Sequence, residues 1–142
     1  MSRTIRGSCL CGAVRFELTK PIVWAHNCYC SRCRKTRGVG FASNLFVEGN
    51  GLNFEQGESE LASYRPPEAE RFTHTFCRHC GSTMPWLNRA HNLFVIPLGS
   101  LDDPPDMKPQ ASIFVDSKAS WIAITDSLPQ HPGPPGSKDA GK

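Results

Sequence analysis

Seven cysteines fall into three tight groups, Cys9-Leu10-Cys11, Cys28-Tyr29-Cys30-Ser31-Arg32-Cys33 and Cys77-Arg78-His79-Cys80. Spacings of one or two residues let sulfurs on a single turn meet at one ion, because a zinc–sulfur bond is only ~2.3 Å long. An odd number of cysteines leaves a disulfide framework with one thiol over. In a reducing cytosol, clustered cysteines point instead to metal or redox chemistry. Glycines follow Cys11 and Cys80, where the lack of a Cβ lets backbone amides turn toward the sulfurs and support their charge.

The economical partition is four plus three. Cys9, Cys11, Cys77 and Cys80 come from distant parts of the chain and together make a closed four-cysteine set, the pattern of a structural zinc. Cys28, Cys30 and Cys33 supply three thiolates by themselves, and three protein ligands with one open position is the arrangement of a catalytic zinc. Other readings use the same thiols. They could be buried small apolar residues, a redox C-x-x-C, for which the surrounding βαβ pattern is missing, or one structural zinc beside a redox-sensing trio. His26, two residues before Cys28, is a candidate fourth ligand or outer contact. His74 reads as a strand residue and His79 as a solvent-facing one.

The chain of 142 residues suits one domain. No apolar run approaches the ~18 residues of a membrane helix. The start "MSRTIRGSCLCG" lacks the apolar core of a signal peptide, so a cytoplasmic location is expected. The formal charge is +3, and seven thiolates with two Zn²⁺ would cancel it. The basic balance is therefore weak evidence for nucleic acid. Acidic stretches such as "EQGESE" and "DDPPD" argue further against such a partner.

Short strands separated by turns make up most of the chain, which predicts a mainly β fold. "AVRFEL" alternates Val14, Phe16 and Leu18 with charge. "FASNLFV" and "LNFEQ" flank Gly49-Asn50-Gly51, good chemistry for a hairpin turn. "RFTHTFC", "STMPWL", "NLFVIPL", "ASIFV" and "SWIAI" complete the set. Prolines break most candidate helices, and a short turn over Ser31 to Thr36 is the best one. Trp86, Trp121 and Phe114 read as core. The Pro/Gly-rich end is expected to be disordered over residues 132–142, leaving a single domain over residues 1–131.

With these motifs in view, "GSCLCGAVRFEL", "CYCSRCRKTRG", "FCRHCGSTM" and "IFVDSKASWIAITDSLPQ" resemble the glutathione-dependent formaldehyde-activating enzyme (GFA) family, which includes centromere protein V. The resemblance runs from about Gly7 to Gln130. It implies a β-tent fold of small antiparallel sheets around zinc. It also implies a structural zinc at residues matching Cys9, Cys11, Cys77 and Cys80, and a second zinc at residues matching Cys28, Cys30 and Cys33. The implied activity adds glutathione to formaldehyde, giving S-hydroxymethylglutathione. Many relatives carry histidine where this chain has Asn27 and Tyr29.

On this reading the partners are a small-molecule thiol and an aldehyde. "RCRKTR" places Arg32, Arg34, Lys35 and Arg37 beside the site, and the guanidinium groups of Arg32 and Arg34 are candidates to clamp the carboxylates of glutathione. Tyr29 or His26 could deliver the proton that the new hydroxyl needs. Two rival functions share these residues: a carrier of glutathione or its adduct without catalysis, and a zinc-stabilised interaction module.

Overall fold

Both long edges of the strand Ala42–Glu48 are occupied, and this organises the molecule. In chain order the strands are β1 (Ile5–Ser8), β2 (Arg15–Leu18), β3 (Trp24–Cys28), β4 (Ala42–Glu48), β5 (Leu52–Gln56), β6 (Leu61–Tyr64), β7 (His74–Cys77), β8 (Trp86–Asn88), β9 (Leu93–Pro97) and β10 (Ser112–Ile113), with one α-helix, α1 (Ser31–Arg37). The computed structural model describes residues 4–138. Among these residues the strands form a sheet β10-β3-β4-β9-β8, a sheet β1-β2-β5 and a hairpin β6-β7. Every pairing between neighbouring strands is antiparallel except β10 with β3. The chain is mainly β, built of small antiparallel sheets.

Period-two alternation divides the five-stranded sheet into two faces. Ala25, Leu45, Val47 and Ile96 point to one face and are fully buried in the main core, with Phe16, Val14, Leu18 and Met84. The registers Ala25↔Leu45 and Leu45↔Ile96 align these side chains across three strands. The opposite face carries Cys28, His26, Asn44 and Phe46, through the registers Cys28↔Ala42, His26↔Asn44 and Trp24↔Phe46. Gly7 permits the first sheet to close over the core, since a Cβ there would sit 2.2 Å from the Phe16 ring and 2.6 Å from the Ser100 carbonyl oxygen.

Helix α1 starts directly after the third strand. The Cys30 sulfur caps it, accepting from the Cys33 N–H at 3.3 Å, and Gly38 ends it in the left-handed region. Arg34, Lys35 and Arg37 occupy its last turn, where positive charge complements the helix dipole.

The structure departs from the sequence reading at several elements. Gly49-Asn50-Gly51 does turn the chain, with the Gly51 N–H donating to the Glu48 carbonyl at 2.7 Å. The flanking strands do not pair as a hairpin, however. β4 is held by β3 and β9, so β5 crosses to β2. "SWIAI" forms no strand, because residues 129–131 already bond the outer side of Ser112: its N–H donates to the Pro129 carbonyl and its carbonyl accepts from His131. The Lys118 ammonium instead binds the Ile122 carbonyl at 2.7 Å. The tail expected over 132–142 falls partly outside the described residues. Within them, Phe114 donates to the Gly133 carbonyl at 2.9 Å, and Asp116 to that of Pro132 at 3.3 Å.

Gly57 sits at φ +79°, with the Ala13 carbonyl oxygen 2.0 Å from where a Cβ would be, whereas Gly38, at φ +64°, has open space around it. Urea denaturation should therefore show Gly57→Ala costing about 3 kcal/mol. Gly38→Ala should lose only the left-handed preference, about 1 kcal/mol.

Candidate functional site

The turn between β1 and β2 carries Cys9 and Cys11, while Cys77 ends β7 and Cys80 lies in the turn that follows. Their four sulfurs lie within 4.8 Å of one another. Sγ of Cys9 and Cys11 are 3.7 Å apart, and those of Cys11 and Cys77 3.8 Å. A tetrahedron with ~2.3 Å arms has edges of about 3.8 Å, so this donor set fits a tetrahedral metal ion. The surrounding amides serve the sulfurs. Val14 N–H donates to Cys9 Sγ at 3.3 Å, and Leu10 N–H donates to the Ser82 hydroxyl, itself 3.2 Å from Cys80 Sγ. The Ser82 hydroxyl and N–H, with the Cys11 N–H, hold the Cys80 thiol down at about 5. Gly12 and Gly81 adopt positive φ in these two turns, a conformation that glycine takes without steric cost.

Cys28, Cys30 and Cys33 form a second group of sulfurs within 4.8 Å of one another, and can likewise hold a metal ion. Cys28 ends β3, Cys30 caps α1 and Cys33 lies on its inner face. As free thiols the three compete for one negative charge. The thiols of Cys28 and Cys33 donate to Cys30, and the N–H groups of Cys33 and Arg32 add to this, so Cys30 is held down despite its burial. The same hydrogen bonds, with burial, push Cys28 far up. Such mutual frustration is relieved when a cation accepts all three thiolates.

These three cysteines line a cleft of about 770 Å³, within the range of small-molecule sites. Its floor is the outer face of the five-stranded sheet, with His26, Asn44, Phe46, Val95 and Trp86, and Phe72 and Phe114 also line it. His26 and Asn44 are 5% and 3% exposed. Asn44 Nδ2 lies 3.5 Å from His26 Nε2, while His26 Nδ1 and Asn44 Oδ1 are buried without a hydrogen-bond partner among the described residues. Burial, aided by the Arg37 charge, holds His26 down at about 4, so its ring is neutral. An Nε2 that accepts from Asn44 leaves the ring proton to Nδ1. Buried polar atoms normally have partners, and two orphans beside three thiols mark a place for a ligand group.

The other candidates sort clearly. Arg32 lines the cleft, 5.9 Å over the Phe72 ring and 3.9 Å from Glu68. Arg34 does not line it. Arg37 and Arg71 do. Arg37 Nη1 donates to the Ser43 carbonyl at 3.4 Å, and its buried Nε has no partner among the described residues. Lys35 is exposed. Tyr29 is 1% exposed and packs on Phe41 at 5.0 Å, away from the cleft lining. His74 stacks on Phe76, and His79 pairs with Glu60 at 3.0 Å.

Trp86 and Phe114 are half-buried and line the cleft, on its floor and beside it, rather than forming core, and Trp121 is 70% exposed. The sequence reading missed Asn44, Phe46, Phe72 and Arg71. For Asn44, a polar residue inside an apolar strand was the available signal.

A family model described as glutathione-dependent formaldehyde-activating enzyme matches residues 4–117. A Halomonas elongata protein named after the same family is 32% identical over 133 residues, covering 84% of this chain and 80% of that one. A crystal structure of a Rhodobacter sphaeroides protein is similar at 25% identity with a TM-score of 0.58, covering 71% of this chain and 91% of that one. The match spans both cysteine clusters and the strands between them, and this chain belongs to the glutathione-dependent formaldehyde-activating enzyme family.

Proposed function

We propose that this chain is a zinc-dependent carbon–sulfur lyase, run in reverse as a synthase, that joins glutathione to formaldehyde to give S-hydroxymethylglutathione. The observation that carries this reading is the unequal setting of two thiol clusters in a chain of this family. Four sulfurs close on one another, whereas Cys28, Cys30 and Cys33 all face one cleft. In this reading the chain holds two zinc ions within a single domain over residues 1–131. Cys9, Cys11, Cys77 and Cys80 hold a structural one, and Cys28, Cys30 and Cys33 hold a catalytic one. When bound at the second site, zinc supplies an open position that favours the thiolate form of an entering thiol. The cytoplasm, where glutathione is abundant and thiols stay reduced, is the matching location.

The chain's own groups prepare the site. Cys30 is fixed by capping the helix. Three thiolates with a divalent cation carry one net negative charge, and the half-buried guanidinium of Arg37 balances it. Burial lowers the Arg37 pKa, and the three thiols oppose that. Arg32 and Arg71 on the cleft wall suit the carboxylates of glutathione, and Glu68 and Glu70 beside them suit its amine. Arg34 lies off the cleft, so Arg71 takes the role that the sequence gave it. The partnerless His26 Nδ1, rather than the enclosed Tyr29, suits the oxygen of the aldehyde. Holding thiol and aldehyde together in one geometry supplies much of the rate.

Exchange NMR between glutathione, labelled formaldehyde and their adduct tests the reaction. The zinc-loaded chain should accelerate exchange, and Cys30→Ser should abolish the acceleration and lower zinc content by about one ion while circular dichroism stays native. Cys77→Ser should lose the folded state. Unchanged exchange with the wild-type chain would leave a carrier of glutathione or its adduct, and identical behaviour of the two variants would sink the structural-versus-catalytic division.

Arg37→Met should weaken retention of the more labile zinc about tenfold in a chelator competition, as loss of a supporting group does. Lys35→Met, on the exposed side of the helix, should leave it unchanged.

A further inference from the structure

The cleft is more aromatic than formaldehyde or glutathione requires. Four rings line it: Phe46, Phe72, Trp86 and Phe114. All four are half-buried. Phe46 and Trp86 both align on Val95 across three adjacent strands, so they share the sheet face that forms the floor. Phe72 meets Trp86 edge-on at 6.4 Å. Phe114 is held at φ 54°, a left-handed conformation that is costly for a bulky residue and is retained where a site needs it. Formaldehyde has no group to lay on these rings, and glutathione has no aromatic ring of its own.

The order of groups along the floor is fixed by strand register. Cys28 pairs with Ala42, His26 with Asn44, and Trp24 with Phe46. Each step of two residues advances about 7 Å. Three rows therefore follow one another. The thiols come first, with Phe72 and Phe114 packed beside them, then the orphaned polar atoms of His26 and Asn44, then the Phe46 and Trp86 rings. A ligand matching that sequence carries sulfur, then an oxygen function, then an apolar ring on a short chain.

Resting on the thiol–aldehyde reading above, we infer that the aldehyde this chain takes bears an aromatic group joined through a short alkyl chain, and that its glutathione adduct is the ligand the cleft is built to hold. The reaction is unchanged in kind. A carbon–sulfur bond forms, the carbonyl π bond opens, and the thiol proton ends on the new hydroxyl, with no change of oxidation state overall. The hydroxyl lies in the His26–Asn44 row and the ring lies against Trp86 and Phe46.

The test is exchange NMR with glutathione and either formaldehyde or 3-phenylpropanal, using the zinc-loaded full chain and Cys30→Ser as blank. Acceleration over the blank should be at least about tenfold greater for 3-phenylpropanal, the scale on which an apolar pocket discriminates. Phe72→Leu, in an irregular wall segment, and Trp86→Leu, on the floor, should each lower the acceleration of 3-phenylpropanal more than that of formaldehyde and so erode that preference. Acceleration of formaldehyde equal to or greater than that of 3-phenylpropanal would overturn the inference and leave the thiol–aldehyde reading standing. Acceleration of neither would remove that reading and the inference with it.

Discussion

Four sulfurs brought within bonding distance of one point cannot all ionise in each other's company unless a cation sits among them. That constraint links two distant parts of the chain. Cys9 and Cys11 belong to the first turn of the chain, and Cys77 and Cys80 to a turn more than sixty residues later. Their meeting joins the sheet β1-β2-β5 to the hairpin β6-β7. The same parts also share one apolar core, in which Val14 and Phe16 pack with Cys77, Met84 and Leu61, and an ion held by the four sulfurs would add directly to the folding free energy. The amides of Val14 and Leu10 and the Ser82 hydroxyl show how much local structure is committed to those sulfurs.

The second cluster stands on a different sheet from the first. Alternation along β3 and β4 sends Ala25, Leu45 and Val47 into the main core and leaves Cys28, His26, Asn44 and Phe46 on the other side. The core face is rigid because it is close-packed. The site face therefore stands on a firm floor, although its own residues are polar, sulfur-bearing or aromatic. Arg37, placed by the helix that Cys30 caps, brings positive charge to this face without a carboxylate partner among its observed contacts. That combination suits a centre whose charge resides on thiolates.

The cysteine grouping was legible because ligand spacing is a local property, and the structure brings together the same four and the same three. The mainly β class and the short helix after Cys28 were legible from turn residues and proline positions. What failed was pairing. Gly49-Asn50-Gly51 signals a turn, but a turn cannot say whether its flanking strands join the same sheet, and here β9 had already claimed the edge of β4. β3 escaped notice because "WAHNC" lacks alternation, both of its faces being buried. The aromatic walls were misread for a related reason. Composition treats Trp86 and Phe114 as core formers, and only tertiary placement shows their exposed halves turned to a cleft. Arg34 and Arg37 are indistinguishable in "RCRKTR", and being three residues apart they share a helix side, so only tertiary placement separates them.

X-ray absorption at the zinc edge tests the two-site account most directly. Two zinc ions per chain, one with four sulfurs and one with three, give a mean of about 3.5 sulfurs per zinc at ~2.3 Å. Saturating glutathione should raise that mean toward about 4 as its thiol enters the open position. One zinc per chain, or a fully sulfur-ligated pair before any thiol is added, would contradict the account.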